Sequence, residues 1–157
     1  NEVRRLAWGM HPSILDDYGL NKALARYISE ISQSSGIQIE YQDLCPPELE
    51  RLPRRTEVSL YRITQEAITN IVRHSNAKNA SVTLNNINGG LEIEIKDDGI
   101  GLDRSNMEKS IGSDTGIGIM GMKERVSDLG GTFTITSAGN KGTRIFVEIP
   151  LKAPSIG

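Results

Sequence analysis

The sequence predicts a single α+β domain, with helices concentrated in its first half and strands and loops in its second. Its 157 residues suffice for one domain with a substantial core and are too few for two. Apolar residues recur at helical spacing in the first half, whereas segments of alternating apolar and polar residues dominate the second. Most of the 16 glycines lie after Gly89, where turns and glycine-rich loops are therefore expected.

The helices are predicted from apolar spacing and stop signals. Residues 1–11 have helical character up to Pro12 and open without an N-cap pattern, so we expect them to be the end of a longer helix. A second helix is predicted over residues 19–35, with a glycine as its C-terminal stop. A third is predicted over residues 54–75. Its expected apolar stripe contains Tyr61, Thr64, Ile68, Ile71 and Val72.

The polar side of this third helix is a candidate working face. At about 100° per residue, Glu66, Asn70 and His74 fall within roughly 80° of one another, with Arg73 beside them. Asn70 could offer a neutral oxygen to Mg²⁺, and Glu66 could hold a metal-bound water or accept a proton. Taken alone, these residues fit a solvated helix face better than a functional site.

The strands are predicted from alternation with a period of two residues. Residues 37–41 form the first such segment. Two more strands, around residues 80–84 and 91–95, are joined through Asn88-Gly89-Gly90, which is a strong hairpin signal. A final hairpin is predicted to pair residues 132–138 with residues 143–150.

Two glycine-containing segments could carry chemistry. Asp97 begins the turn after the third strand, where its carboxylate could accept a hydrogen bond from an exocyclic amine such as that of adenine, or serve as an ordinary turn residue. Residues 102–115 have no sustained period and are predicted to form a mobile loop. A helix then begins within residues 116–122 and runs to residue 129. Its start could cradle phosphates, or Gly118 and Gly121 could simply permit close packing.

Composition excludes several classes of function. The formal net charge is −2, without a basic run that could follow a nucleic-acid backbone, so no nucleic-acid partner is expected. A single cysteine, Cys45, excludes an intrachain disulfide and fits a reducing, cytoplasmic setting. No stretch approaches the roughly 20 apolar residues of a membrane span, so any membrane anchor is expected in upstream segments.

Four segments, taken together, resemble the ATP-binding motifs of bacterial sensor histidine kinases. They are "YRITQEAITNIVRHSNA" at 61–77 for the N box, "DDGIG" at 97–101 for the DxGxG box, "GIGIMGM" at 116–122 for the GxGLxGM box, and "GTR" at 142–144 for the last glycine–threonine element. "MHPSILDDYGLNKAL" at 10–24 resembles the segment that links the dimerising helices to the catalytic domain in the nitrate-sensor and lipid-fluidity-sensor subgroup. The resemblance covers nearly the whole chain.

This resemblance implies a fold and a division of the chain. The fold would be an α/β two-layer sandwich of the Bergerat type, in which a mixed β-sheet packs against three helices, as in type II topoisomerases, Hsp90-like chaperones and mismatch-repair ATPases. Residues 1–18 would be the end of a dimerisation helix and its linker. Residues 19–151 would be the ATP-binding catalytic domain, and residues 152–157 a C-terminal tail.

The resemblance also implies a site for ATP and Mg²⁺. Asp97 would read the adenine amino group, Asn70 would coordinate Mg²⁺, and residues 102–115 would form the ATP lid. Glu66 would act as the catalytic base or organise water and metal. The second role is open because an acidic neighbour of the phosphorylated histidine can serve as the base in this subgroup. The other residues implied to bind ATP are Arg73, His74, Gly99, Gly101, Gly116, Gly118, Gly121, Met122 and Thr143.

The implied function is that of the catalytic domain of a two-component sensor histidine kinase. Such a domain transfers the γ-phosphate of ATP to a histidine on a dimerising helical domain of the same homodimeric protein, and a response regulator receives it next. No acceptor-histidine motif occurs here, because His11 lies in the linker-like segment and His74 is assigned to the phosphates. The chain alone is therefore expected to bind ATP without autophosphorylating.

Several alternative functions fit the sequence less well. A serine kinase acting on anti-sigma-factor antagonists would use a similar pocket, but the linker-like residues 10–24 argue against it. A non-catalytic scaffold is expected to have lost Asp97, Asn70 or the glycines, and none is lost. Topoisomerase and chaperone relatives are disfavoured, because a further domain, the transducer or middle domain, would begin near Pro150 in those proteins. No GxGxxG follows an N-terminal strand, which disfavours a dinucleotide enzyme.

Overall fold

The computed structural model describes residues 13–49, 51–87, 89–100, 114–137 and 141–151. The predictions for residues 1–11, 102–113 and 152–157 lie outside these ranges. In chain order the elements are α1 (Ser13–Tyr18), α2 (Leu20–Ser35), β1 (Gln38–Asp43), a 3₁₀ turn (Pro47–Leu49), α3 (Arg54–Asn70), a π turn (Ile71–Ser75), β2 (Asn79–Ile87), β3 (Gly90–Asp97), α4 (Asp114–Asp128), β4 (Thr132–Ser137) and β5 (Thr143–Pro150).

The five strands form one mixed sheet in the order β1-β2-β3-β5-β4. β1 runs parallel to β2, and the other three neighbouring pairs are antiparallel. Parallel neighbours need a long crossover connection, which α3 supplies between β1 and β2. Both predicted hairpins, β2–β3 and β4–β5, are confirmed.

Alternation along the strands gives the sheet one apolar face and one polar face. On the apolar face, Val82, Ile93 and Val147 are each at most 1% exposed. The polar face carries charged pairs such as Arg144 with Glu94 and Lys96 with Glu94. The three long helices α2, α3 and α4 cover the apolar face only, so the α/β two-layer sandwich with a mixed sheet and three helices is confirmed.

α1 is a helix that the sequence analysis did not predict, and it packs against α2 and α3. Leu15 on α1 is 1% exposed and belongs to the core. Arg51 Nη2 donates to the carbonyl oxygen of Asp16 at 3.0 Å and to the buried Glu57 Oε1, in the first turn of α3, at 3.3 Å. Residues 13–18 therefore share the core of the domain, while the predicted functional boundary at residue 18 stays a prediction.

The helix predicted over residues 54–75 changes geometry after Asn70. There the backbone widens into the π turn, in which hydrogen bonds reach one residue further than in an α-helix. The wider turn places Ile71 and Ser75 in the interior, at 6% and 8% exposure, and turns Val72 outward at 41%. The assignment of Val72 to the apolar stripe is therefore wrong, because the prediction assumed a uniform 100° rotation per residue.

Asp98 fastens the end of β3 to the start of β2. Its Oδ1 accepts hydrogen bonds from the backbone N–H groups of Lys78 and Asn79, both at 2.9 Å. Its Oδ2 accepts one from Asn79 Nδ2, also at 2.9 Å. These hydrogen bonds, led by those from Asn79, lower the pKa of Asp98.

We expect Asp98→Ala to lower the melting temperature at neutral pH and to lose that effect in acid. The folded pKa of Asp98 lies below its unfolded value, so the stabilisation is present above the unfolded pKa and is lost as the pH falls through the folded one. Thermal melts of both proteins from pH 7 down to about pH 2 would measure this convergence. The exposed Asp17→Ala serves as the control, and a gap between Asp98→Ala and wild type that stays constant with pH would contradict the assignment.

Candidate functional site

A cleft opens between the apolar face of the sheet and α3, at the end where β3 finishes and β5 begins. We call it the Asp97 cleft. Its walls are mainly apolar, with a few polar groups that converge at one end, which is the usual composition of a small-molecule site. The lining residues are Ala67, Asn70, Ile71, His74, Ser75, Ile95, Asp97, Ile119, Ile135, Thr143 and Ile145.

The strand register explains how the floor of the Asp97 cleft is built. Ile95, Ile145 and Ile135 are direct cross-strand partners on β3, β5 and β4, so they form an apolar row. Two residues further towards the end of β3, Asp97 pairs with Thr143 in the same way. The cleft therefore has an isoleucine floor and a polar end, which suits a flat ring that carries an amine.

Asp97 is held in one orientation at this polar end. The backbone N–H of Gly99 donates to Asp97 Oδ1 at 2.8 Å. Burial raises the pKa of Asp97, and the backbone N–H groups of Gly99 and Thr143 oppose that effect. A fixed, half-buried carboxylate beside an apolar floor can accept hydrogen bonds from an amine that enters the cleft.

Two glycines set the backbone around Asp97. A Cβ atom at Gly99 would overlap the backbone oxygen and the side chain of Ser75, so Gly99 allows the turn after β3 to pack on the π turn. Ile100 N donates to Ser75 O there at 2.7 Å. Gly142 has φ +82°, and a Cβ atom there would overlap the backbone oxygen of Asp97. For Gly99, the structure thus supplies a packing reason beside the predicted nucleotide contact.

α3 and the π turn bring some of the predicted polar residues to the cleft and leave others away from it. Asn70 and His74 line the Asp97 cleft, whereas Arg73 is exposed and does not. Glu66, one turn before Asn70, lines a neighbouring cleft. The sequence predicts one polar face for these residues, whereas the structure divides them between two clefts and one exposed position.

The neighbouring cleft, which we call the Glu66 cleft, lies between α3 and α4. A Cβ atom at Gly118 would overlap the Glu66 carboxylate, so Gly118 lets that side chain approach α4. Gly121 has open space where a Cβ would stand, and Met122 is 1% exposed. Gly116 lies on the backbone of α4, and Gly101 lies outside the described residues. The described lining is Arg62, Glu66, Gly118, Gly121, Met122 and Arg125.

A divalent ion would find few protein ligands here. Among the described residues, no group of three or more His, Cys, Asp or Glu side chains could hold a metal. Asn70 contributes one neutral oxygen to the Asp97 cleft. This donor set fits Mg²⁺ held mainly by phosphates and water, and it does not fit a metal site built from protein alone.

The apolar half of the site and one glycine are not identified by sequence patterns. Ile95, Ile135 and Ile145 fall within the predicted strands, and Gly142 begins the glycine–threonine element at 142–144, but none of the four is predicted as a site residue. The available signal was their position: Ile95, Ile145 and Gly142 lie within two residues of Asp97 or of its cross-strand partner Thr143, and Ile135 is the cross-strand partner of Ile145. Ser75 and Ile119 carried no such signal, since the π turn and the placement of α4 decide where they lie.

Residues 55–153 match the family model described as histidine kinase-, DNA gyrase B-, and HSP90-like ATPase. A signal transduction histidine-protein kinase/phosphatase, DegS of Brevibacillus brevis, is 35% identical over 96% of this chain and 37% of that protein. The oxygen sensor histidine kinase NreB of Staphylococcus carnosus is 31% identical over 96% of this chain and 42% of that protein. The chain thus spans about two fifths of these relatives.

The fold is also found in solved structures. The histidine kinase domain of the Erythrobacter litoralis EL346 blue-light activated histidine kinase superposes with a TM-score of 0.66 and 23% identity, over 84% of this chain and 61% of that one. None of the helices in the described ranges has the length and apolar character required to cross a membrane. Since the family model matches more than half of its residues, the chain belongs to the histidine kinase-, DNA gyrase B- and HSP90-like ATPase family.

Proposed function

We propose that this domain binds Mg-ATP and donates the γ-phosphate to a histidine on a dimerising helical domain of the same homodimeric protein, from which a response regulator takes it. The observation that carries the proposal is the Asp97 carboxylate, held by the backbone hydrogen bond from Gly99 at the end of an apolar cleft. The sensor kinases similar to this chain support the choice of a histidine as acceptor.

The proposed roles follow from position in the two clefts. Asp97 accepts a hydrogen bond from the adenine amine while the isoleucine row contacts the ring, and Thr143 lies beside the base. Asn70 supplies a ligand to Mg²⁺, which neutralises phosphate charge when bound. His74 lies towards the phosphates. Arg73, Gly99, Gly101, Gly116, Gly118, Gly121 and Met122 remain proposed nucleotide contacts, and residues 102–115 the proposed lid.

Phosphoryl transfer requires little from this domain beyond positioning of the nucleotide and neutralisation of its charge. In the proposed transfer, the bond between the γ-phosphorus and the β–γ bridging oxygen breaks, a nitrogen–phosphorus bond to the acceptor imidazole forms, and ADP leaves. The proton of the attacking imidazole passes to a base, for which Glu66 and an acidic residue beside the acceptor are the two candidates. The acceptor lies on the partner helices, so this chain alone is expected to bind ATP with little turnover.

A calorimetric titration of the chain with ADP, ATP and GTP, with and without Mg²⁺, tests the proposal. We expect adenine nucleotides to bind and GTP to bind far more weakly, because the Asp97 carboxylate cannot accept a hydrogen bond from the guanine carbonyl. Asn70→Ala is expected to keep ADP binding but to lose most of the gain in affinity that Mg²⁺ provides. The affinity in the presence of Mg²⁺ should fall about tenfold, the effect of losing one charge-assisted ligand.

The control for Asn70→Ala is Asn86→Ala, which changes the same side chain at the far end of β2. Equal loss of affinity in the presence and absence of Mg²⁺ would show that Asn70 contacts the nucleotide and does not hold the ion. A folded chain that binds no adenine nucleotide would overturn the proposed function itself.

A further inference from the structure

Ser75 lies where the two halves of the Asp97 cleft meet. Asn70 and His74 reach the cleft from α3 and the π turn, whereas Asp97 reaches it from the end of β3. Ser75 is the last residue of the π turn, lines the same cleft and is 8% exposed. Its contacts therefore help to decide how the α3 side of the cleft is placed against the β3 side.

The hydroxyl of Ser75 closes the π turn. Its Oγ donates to the carbonyl oxygen of Ile71 at 2.7 Å and accepts a hydrogen bond from the backbone N–H of Ala77 at 3.0 Å. Between Ser75 and Ala77 the chain passes through Asn76, whose φ of +54° lies in the left-handed region. That conformation is uncommon for a residue other than glycine, and the hydroxyl binds the backbone on both sides of it. One oxygen atom therefore fixes the direction in which the chain leaves the π turn.

The backbone of Ser75 holds the turn that follows Asp97. The Ser75 carbonyl oxygen accepts a hydrogen bond from Ile100 N at 2.7 Å, and a Cβ atom on Gly99 would overlap Ser75. Gly99 N in turn donates to Asp97 Oδ1 at 2.8 Å. A continuous series of contacts thus joins the Ser75 hydroxyl to the carboxylate that we assign to the adenine amine.

We propose that Ser75 is a positioning residue for base recognition: its hydroxyl fixes the π turn and thereby the orientation of the Asp97 carboxylate relative to Asn70. The inference rests on the proposed function, because it concerns how the same cleft is held ready for a nucleotide. Asp98 anchors the β3 side of the turn independently, through its hydrogen bonds to the segment that begins β2. Loss of the Ser75 hydroxyl is therefore expected to loosen the turn without unfolding the domain.

The test compares Ser75→Ala with Thr64→Val by calorimetric titration with ADP, at a temperature at which both proteins are folded. Thr64 is the matched control, because its Oγ1 also donates to the carbonyl oxygen four residues earlier, that of Leu60, at 2.8 Å. Thr64 is 0% exposed and is therefore out of reach of a ligand. Ser75→Ala is expected to weaken ADP binding about fivefold, the effect of one neutral hydrogen bond, whereas Thr64→Val should bind ADP like wild type. Ser75→Thr, which restores the hydroxyl, should recover most of the affinity.

A second measurement distinguishes positioning from direct contact with the nucleotide. In the nucleotide-free chain, the amide hydrogens of Gly99 and Ile100 should exchange with solvent about fivefold faster in Ser75→Ala than in Thr64→Val. The reason is that both amides donate hydrogen bonds within the turn that Ser75 holds.

The outcomes separate this inference from the function on which it rests. A Ser75→Ala chain that binds ADP like wild type would overturn the role of Ser75 and leave adenine-nucleotide binding in place. Weaker ADP binding without faster exchange at Gly99 and Ile100 would also overturn positioning, because Ser75 would then act by contacting the nucleotide itself. A wild-type chain that binds no adenine nucleotide would overturn both this inference and the proposed function.

Discussion

Asp97→Asn is expected to weaken adenine-nucleotide binding about a hundredfold, the largest effect of any single substitution in the Asp97 cleft. The amide can keep the hydrogen bond that Gly99 N donates to Oδ1, so the local turn should survive. The second position then carries an NH₂ group that faces the adenine amine, which replaces an acceptor by a donor. Calorimetric titration with ADP measures the loss, and an affinity close to wild type would remove Asp97 from base recognition.

Asp98→Asn is the matched control, since it makes the same chemical change one residue away. Among the described residues, the Asp98 carboxylate accepts hydrogen bonds from Lys78 and Asn79, and it does not line the cleft, so ADP affinity should be retained while stability falls. The direction in which ADP affinity changes with pH follows from the pKa of Asp97. Because burial raises the pKa of Asp97, ADP affinity should be lost as the pH falls through that value, at a higher pH than for an ordinary aspartate.

Gly142→Ala is expected to have the largest effect on folding, about 2 to 5 kcal/mol of unfolding free energy, and to abolish nucleotide binding as well. Two costs combine at this position. The backbone lies at φ +82°, which a side chain disfavours, and the new Cβ would overlap the backbone oxygen of Asp97. Since backbone cannot rotate away as a side chain can, Asp97 itself must shift. Chemical denaturation gives the first quantity and ADP titration the second.

Gly89→Ala separates these two costs. Gly89 also has a positive φ, of +75°, in the β2–β3 turn, but nothing lies within 4 Å of the position a Cβ would take. It should therefore show only the conformational strain, about 1 to 2 kcal/mol, with ADP binding retained. If the two variants lost equal free energy of unfolding, the close approach of Gly142 to Asp97 would contribute nothing to the loss in Gly142→Ala.

The sequence allowed the sheet and the long helices to be predicted because each has a periodic pattern that its burial requires. β2, β3 and β5 alternate cleanly, since one face packs on helices and the other meets water. α1 was missed because six residues contain too little repetition to reveal a helix. Its single buried anchor, Leu15, has meaning only once α2 and α3 are in place.

The candidate site was predictable in its polar half and not in its geometry. Asp97, Asn70 and Thr143 were identified by motif, and the structure brings them to one cleft with His74. That Glu66 lies in a separate cleft depends on how α3 and α4 pack, which no local pattern encodes. The exposed position of Arg73, outside the Asp97 cleft, is likewise not encoded in its place within the motif.

The docking of α1 has a mechanical consequence. Arg51 joins the last turns of α1 to Glu57, in the first turn of the helix that carries Asn70 at its other end. A displacement of α1 would therefore be transmitted through Arg51 to the start of α3. A rotation at that end would be transmitted along α3, which is 17 residues long and ends at Asn70, the proposed ligand of Mg²⁺.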